Sequence, residues 1–277
     1  MIELPFAAIA VNPAHVTYAY GPDSARRPAV PPGRIDRFEV TDSAAFPGTT
    51  RTVWVHTPAG HVSAHPASVM IFNDGWWYLD PDGDVRAGIV LDNLAAQQMI
   101  PPMVGVFVDP GVLPASENPK NRNVEYDAFD RRYADFLVDE VLPRVAERHA
   151  ISTKGLRRGI CGGSSGGNAA FTAAWHRPDA IGRVIAFNSS FAQMPGGNPY
   201  PDLLHRGQVR DLRILLHAAH RDIGWNDADW NWFAESLETA AALTRTGHDV
   251  RLVVGDGGHS PNHGGVLLPD ALRWLWA

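Results

Sequence analysis

The residues in this chain best suited to chemistry are a serine hemmed in by glycines. Gly162-Gly163-Ser164-Ser165-Gly166-Gly167 follows an apolar run at Arg158–Cys161 and precedes an Ala-rich stretch ending near His176. Strand, tight turn and helix in that order are the setting a G-x-S-x-G serine requires. A nucleophile at the tip of such a turn leaves no room for side chains two positions before and after it, and glycines remove that clash. The helix behind it aims N–H groups at the negative oxygen that develops during acyl transfer. Two registers fit the pattern, on Ser164 or on Ser165. Ser164 is favoured because it follows the strand at the spacing the turn needs, and the backbone N–H of Ser165 then becomes one oxyanion donor.

A serine nucleophile needs a base, and the base needs a carboxylate to orient it. In strand–turn–helix hydrolases the chain order is Ser, acid, His. Gly255-Asp256-Gly257-Gly258-His259 follows the last strand-like run, Val250–Val254, so His259 is the expected general base, with His263 as the alternative. Asp222 follows the preceding run, Leu212–His217, and is the expected acid. Asp227 and Asp229 compete with it, although Asp at those positions also suits a helix N-cap. His217 and His220 read as structural residues at a strand end. A zinc pair on His259 and His263 is disfavoured by Pro261 between them. The second oxyanion donor should come from the loop Asp74-Gly75-Trp76-Trp77, and the amide of Trp76 is the candidate.

Those residues have to be carried by regular elements. Strands are expected at Ile35–Val40, Thr52–His56, Ser68–Asn73, Met103–Val108, Arg158–Cys161, Arg183–Phe187, Leu212–His217 and Val250–Val254. Several are short, continuous apolar runs. Between them lie helical patterns at Val85–Gln98, from Asp229 to Arg245, from Leu267 to Trp276, and as one long helix over Val124–His149. Apolar strands alternating with helices mean an α/β fold with a mostly parallel sheet covered on both faces. Chemistry in such sheets sits outside the carboxyl ends of the strands, which is where every candidate falls.

The 277 residues suit one domain, with residues 1–50 as an N-terminal extension packed on it. There are 24 Lys+Arg against 30 Asp+Glu, a formal charge of −6, which argues against a nucleic-acid partner. Cys161 is the single cysteine, so no intrachain disulfide or Cys-rich zinc site is available. Met1–Ala10 lacks the basic start of a secretory signal, and no apolar run approaches a membrane span. The expected setting is therefore the cytoplasm, away from membranes; the serine, histidine and acid would need no cofactor or metal and would take a small-molecule ester. No oligomeric state follows from the sequence.

Four stretches together resemble a known family: Asn73-Asp74-Gly75, Asn121-Arg122-Asn123-Val124-Glu125-Tyr126, the elbow at Cys161–Gly167, and Gly255–His259. In the right order from about Val53 onward, they are similar to the enterochelin esterase and esterase D branch of the α/β-hydrolases. That branch also holds feruloyl and carbohydrate esterases and mycolyltransferases. The resemblance implies an α/β-hydrolase fold and hydrolysis of a carboxylic ester, with Ser164 aligned to the nucleophile, His259 to the base and Asp222 to the acid. It sets Trp76 in the place of the second oxyanion donor. The doubled serine departs from the family, where the residue after the nucleophile is often larger and apolar. Two readings stand beside hydrolysis: an acyltransferase with the same triad, and a catalytically silent binding protein of the same fold. Arg122 and Glu125 either pair with each other at a helix start or meet substrate. Trp77 and Trp225, with the neighbouring tryptophans, would line a pocket for a sugar ring or an aromatic acyl group.

Overall fold

Residues 69–72 of the strand Ser68–Asn73 point alternately to the two faces of a sheet, and both faces are covered. Val69 and Ile71 join one apolar cluster, Met70 and Phe72 the other. All six residues of this strand are buried, as are all six of Met103–Val108. Continuous apolar sequence is what such double coverage requires.

The computed structural model describes residues 16–60 and 66–277. The reading of Met1–Ala10, and the first fifteen residues of the N-terminal extension, lie outside the described residues. Among the described residues the strands are β1 (Arg34–Val40), β2 (Arg51–Thr57), β3 (Ser68–Asn73), β4 (Met103–Val108), β5 (Arg158–Gly163), β6 (Arg183–Phe187), β7 (Arg213–Ala219) and β8 (Asp249–Gly255). They form one sheet in the order β1-β2-β4-β3-β5-β6-β7-β8. The β1–β2 and β2–β4 pairs are antiparallel and the rest parallel. The N-terminal extension thus contributes the edge strand β1 to the same sheet.

The helices are α1 (Gly75–Leu79), α2 (Ala87–Ala96), α3 (Arg122–Tyr126), α4 (Arg132–Asp135), α5 (Leu142–Ala146), α6 (Ser165–His176), α7 (Tyr200–Arg206), α8 (Trp232–Arg245) and α9 (Pro261–Trp276). Helices α1, α2 and α9 cover one face through Tyr78, Leu91, Leu94, Leu268 and Leu272. The central helix α6 and helix α8 cover the other through Ala170, Phe171, Ala174 and Leu243.

Two expected helices differ. The single helix over Val124–His149 is instead α3, α4, a π-helical turn at Phe136–Val141, and α5. The break falls between Tyr126 and Arg132, where the Asp127 carboxylate accepts from Ser165 and Ser190 in other segments. Pro143 has no N–H to donate, and it falls just after the π-helical turn gives way to α5. The last helix starts at Pro261, six residues earlier than Leu267, so His263 lies within it.

Candidate active site

Ser164 sits between β5 and α6 at φ 60°, ψ −131°. L side chains rarely adopt that backbone conformation. The glycines around it are required by close approach. A Cβ on Gly162 would lie 2.1 Å from the Gly166 carbonyl oxygen, and one on Gly166 would meet the Asp74 carboxylate at 2.8 Å. The Ser164 N–H donates to the Phe187 carbonyl at 2.9 Å, tying the turn to the end of β6.

Ser165 is placed differently from its neighbour. It is buried, and its hydroxyl donates to Asp127 Oδ2 at 3.0 Å. Of the two serines, Ser164 alone lines the cleft at the carboxyl ends of the strands, alongside Asp74, Trp77, Tyr78, Phe187 and His259.

The acid and the histidine come together from two loops. Asp222 follows β7 and is 1% exposed, and His259 follows β8. Nδ1 of His259 lies 2.6 Å from Asp222 Oδ1, and the N–H of Ile223 donates to the same oxygen at 2.8 Å. The Trp232 indole stands edge-on to the imidazole, centroids 5.2 Å apart. The competitors are engaged elsewhere. Asp227 Oδ1 accepts the N–H groups of Asp229 and Trp230, both at 2.9 Å. Helix α8 is capped by Asn231 instead, which accepts from the Ala234 N–H. His263 is buried and its Nε2 donates to the Val16 carbonyl at 3.0 Å. Among the described residues no group of three or more His, Cys, Asp or Glu is arranged to hold a metal ion.

Three expectations are corrected by the geometry. Glu125 does not face substrate: its carboxylate forms two hydrogen bonds to Arg51, at 2.6 and 3.0 Å, and both side chains are wholly buried. Arg122 does not pair with Glu125. It forks onto Asp74 at 2.6 and 2.8 Å, bracing the loop after β3 against the turn at Ser164. Burial lowers the Arg122 pKa, but the bond to Asp74 outweighs this and leaves it raised. The Trp76 amide, expected as an oxyanion donor, donates to Asp109 Oδ1 at 3.0 Å in this structure. Asp109 follows β4, whereas Ser164 follows β5 on the other side of β3. Burial pushes the Asp109 carboxyl above its ordinary range, with the Trp76 N–H pulling the other way.

The tryptophans divide by location. Trp77 is half-exposed on the cleft. The Trp76 ring packs on Trp54 at 5.8 Å. Trp225 lies on the loop after β7 beneath the Arg221 guanidinium, 3.7 Å from the ring centroid. The residues the sequence reading missed are Asn73, Asp127 and Ser190. Asn73 Nδ2 donates to the Gly166 carbonyl at 2.7 Å, while its Oδ1 accepts from Tyr133. Of these, only Asn73 falls in a stretch that carries the resemblance, Asn73–Gly75; Asp127 and Ser190 lie outside every such stretch.

A mostly parallel sheet with a serine elbow after β5, an acid after β7 and a histidine after β8 defines the α/β-hydrolase class. The chain belongs to the family described as putative esterase, whose model matches residues 43–271. It is 27% identical over 239 residues to an iron(III) enterobactin esterase of Dickeya dadantii (strain 3937), covering 81% of this chain and 51% of the relative. The chain therefore spans about half the length of that curated relative. The enterobactin esterase of Shigella flexneri, solved in the presence of enterobactin, is similar with a TM-score of 0.74 at 23% identity, over 92% of this chain and 61% of that one. A ferulic acid esterase matches with a TM-score of 0.70 at 15% identity, over 88% and 98% of the two chains. Among the described residues no helix is long and apolar enough to cross a membrane.

Proposed function

We propose that this chain is a serine esterase that works through an acyl-enzyme on Ser164. The observation that carries this reading is the His259–Asp222 pair at 2.6 Å, on a cleft that Ser164 lines. His259, holding its Nδ1 proton on Asp222, presents Nε2 as the base. It takes the Ser164 proton as Oγ attacks the acyl carbon, then protonates the departing alcohol. Water enters and is activated by the same imidazole, and the ester of Ser164 is hydrolysed. The Ser165 N–H, at the start of α6, stabilises the tetrahedral oxyanion. Neither a metal nor a cofactor takes part in this scheme.

The acyl or alcohol portion is an aromatic or sugar group held against Trp77. The exposed indole on a cleft that Tyr78, Val85, Phe187 and Pro261 also line supports this, as do the enterobactin and ferulic acid named for the relatives. The test is labelling with a small fluorophosphonate followed by peptide mapping, and then a panel of aryl, sugar and short alkyl esters. An adduct on Ser164 is expected. An adduct on Ser165, or none on the folded protein, would overturn the assignment.

A further inference from the structure

The second serine of the elbow has its own partner, and that partner fastens one particular peptide group. Asp127 is buried, with 6% of its surface exposed, at the end of α3. Its Oδ1 accepts the Ser190 hydroxyl at 2.7 Å. Its Oδ2 accepts Asn123 Nδ2 at 2.7 Å and the Ser165 hydroxyl at 3.0 Å, with Gln193 Nε2 further off at 3.5 Å. One carboxylate thus joins three segments: the end of α3, the first turn of α6, and the loop after β6.

The loop after β6 returns to the same place through its backbone. The Ser190 N–H donates to the Ser164 carbonyl at 3.3 Å, and the N–H groups of Gly167 and Asn168 reach that oxygen at 3.0 and 3.1 Å. The Ser164 carbonyl and the Ser165 N–H belong to one planar peptide unit, so fixing the carbonyl fixes the direction of the N–H. A donor aimed at a developing oxyanion loses much of its effect when displaced by even an ångström.

We propose that Asp127 is a positioning residue for the reaction. It holds the Ser165 amide on its line toward the oxyanion by gripping the hydroxyls of Ser165 and Ser190. This rests on the reading of Ser164 as nucleophile and the Ser165 amide as oxyanion donor. It also gives the doubled serine a role: a hydroxyl here, unlike an apolar side chain, gives the carboxylate a handle on the elbow. The grip needs acceptors more than charge. An asparagine placing its carbonyl oxygen at Oδ2 keeps the bonds from Asn123 and Ser165, and the Ser190 hydroxyl turns to accept from its amide.

The experiment compares wild type, Asp127→Ala, Asp127→Asn, Ser165→Ala and the double variant Asp127→Ala/Ser165→Ala. The readouts are kcat and KM on one aryl ester, the fluorophosphonate labelling rate, and the adduct position. Wild type labelled at Ser164 is the entry condition, and its failure removes the nucleophile reading itself. Given that label, Asp127→Ala should lower kcat and labelling rate by roughly ten- to hundredfold, with KM within about threefold of wild type. Asp127→Asn should stay within about threefold of wild type. The double variant should be no slower than Asp127→Ala, because both changes break one linkage. Wild-type kcat in folded Asp127→Ala, Asp127→Asn as slow as the alanine variant, or losses that multiply in the double variant would each overturn the proposal. Should Asp127→Ala not fold, Ser165→Ala decides alone. It keeps the amide and removes only the handle, so its kcat must fall at unchanged KM, and full activity in it overturns the proposal.

Discussion

Asp222 and His259 are 37 residues apart in the chain, yet their loops are sewn together by backbone as well as by the 2.6 Å contact between their side chains. The His220 N–H donates to the Gly255 carbonyl at 3.0 Å, and the Arg221 N–H to the Gly257 carbonyl at 2.9 Å. The Gly257 N–H reaches back to His220 Nδ1 at 3.2 Å. The imidazole is therefore aimed by the joined ends of β7 and β8, with the carboxylate choosing its tautomer. Asp222→Asn should lower kcat by about 10³- to 10⁴-fold with folding intact, because the wrong tautomer is then favoured. Asp227→Ala should keep most of the activity. Steady-state ester hydrolysis alongside circular dichroism decides it, and equal losses in both variants would remove Asp222 from its role.

Arg51 and Glu125 form an ion pair with no exposed side-chain surface. Removing one partner leaves a buried charge alone. Glu125→Ala is therefore expected to destabilise the protein by about 3–5 kcal/mol. The double variant Arg51→Met/Glu125→Leu should recover most of that loss. Urea denaturation midpoints report both, and a Glu125→Ala variant as stable as wild type would contradict the burial described above.

His217, at the carboxyl half of β7, has its imidazole pKa depressed from 6.5 to about 3 by burial and by the adjacent His263. In the unfolded chain the imidazole takes up a proton near its ordinary value, and in the folded protein it resists until far lower pH. Its contribution to stability is thus complete above about pH 6.5 and is lost as pH falls from there toward 3, at a limiting slope of about 1.4 kcal/mol per pH unit. His176 and His248, also lowered by burial, add in the same sense. Unfolding free energies measured between pH 7.5 and 4.5 should fall, and His217→Gln should flatten the slope by about one proton. An unchanged slope in that variant would place the linkage elsewhere.

Trp76 and Trp77 are neighbours with similar exposure and different surroundings. Only Trp77 lines the cleft, whereas Trp76 leans on Trp54. Trp77→Ala is expected to raise KM for aryl esters by about tenfold, the scale of a lost aromatic contact. Trp76→Ala should leave KM within about twofold of wild type. Initial-rate kinetics on matched aryl and alkyl esters separate the two, and the same shift in KM for both variants would argue against Trp77 as the substrate wall.

The parts of the molecule legible in the sequence are those fixed by local pattern. The buried strands β3 and β4 are continuous apolar runs, and the elbow is a glycine cluster between a strand and a helix. The order Ser, Asp, His follows from which strand each residue trails. What escaped was set by partners far along the chain. Nothing near Glu125 reveals that Arg51, 74 residues away, neutralises it. The apolar spacing of Val124–His149 suggested one helix because periodicity carries no record of Asp127 leaving the helix to grip Ser165 and Ser190. Adjacent tryptophans cannot be told apart by spacing, because the turn of α1 decides which of them meets the cleft.

The backbone angles of Ser164 carry a consequence for how such a protein drifts. A glycine would occupy φ 60°, ψ −131° with little penalty. On the function proposed above, Ser164→Gly would remove the nucleophile while relieving that backbone strain. On that reading, selection for durability alone would push this position toward glycine, and selection for turnover would keep the hydroxyl. A laboratory lineage screened for heat resistance and never for hydrolysis should discard its own chemistry at this residue early.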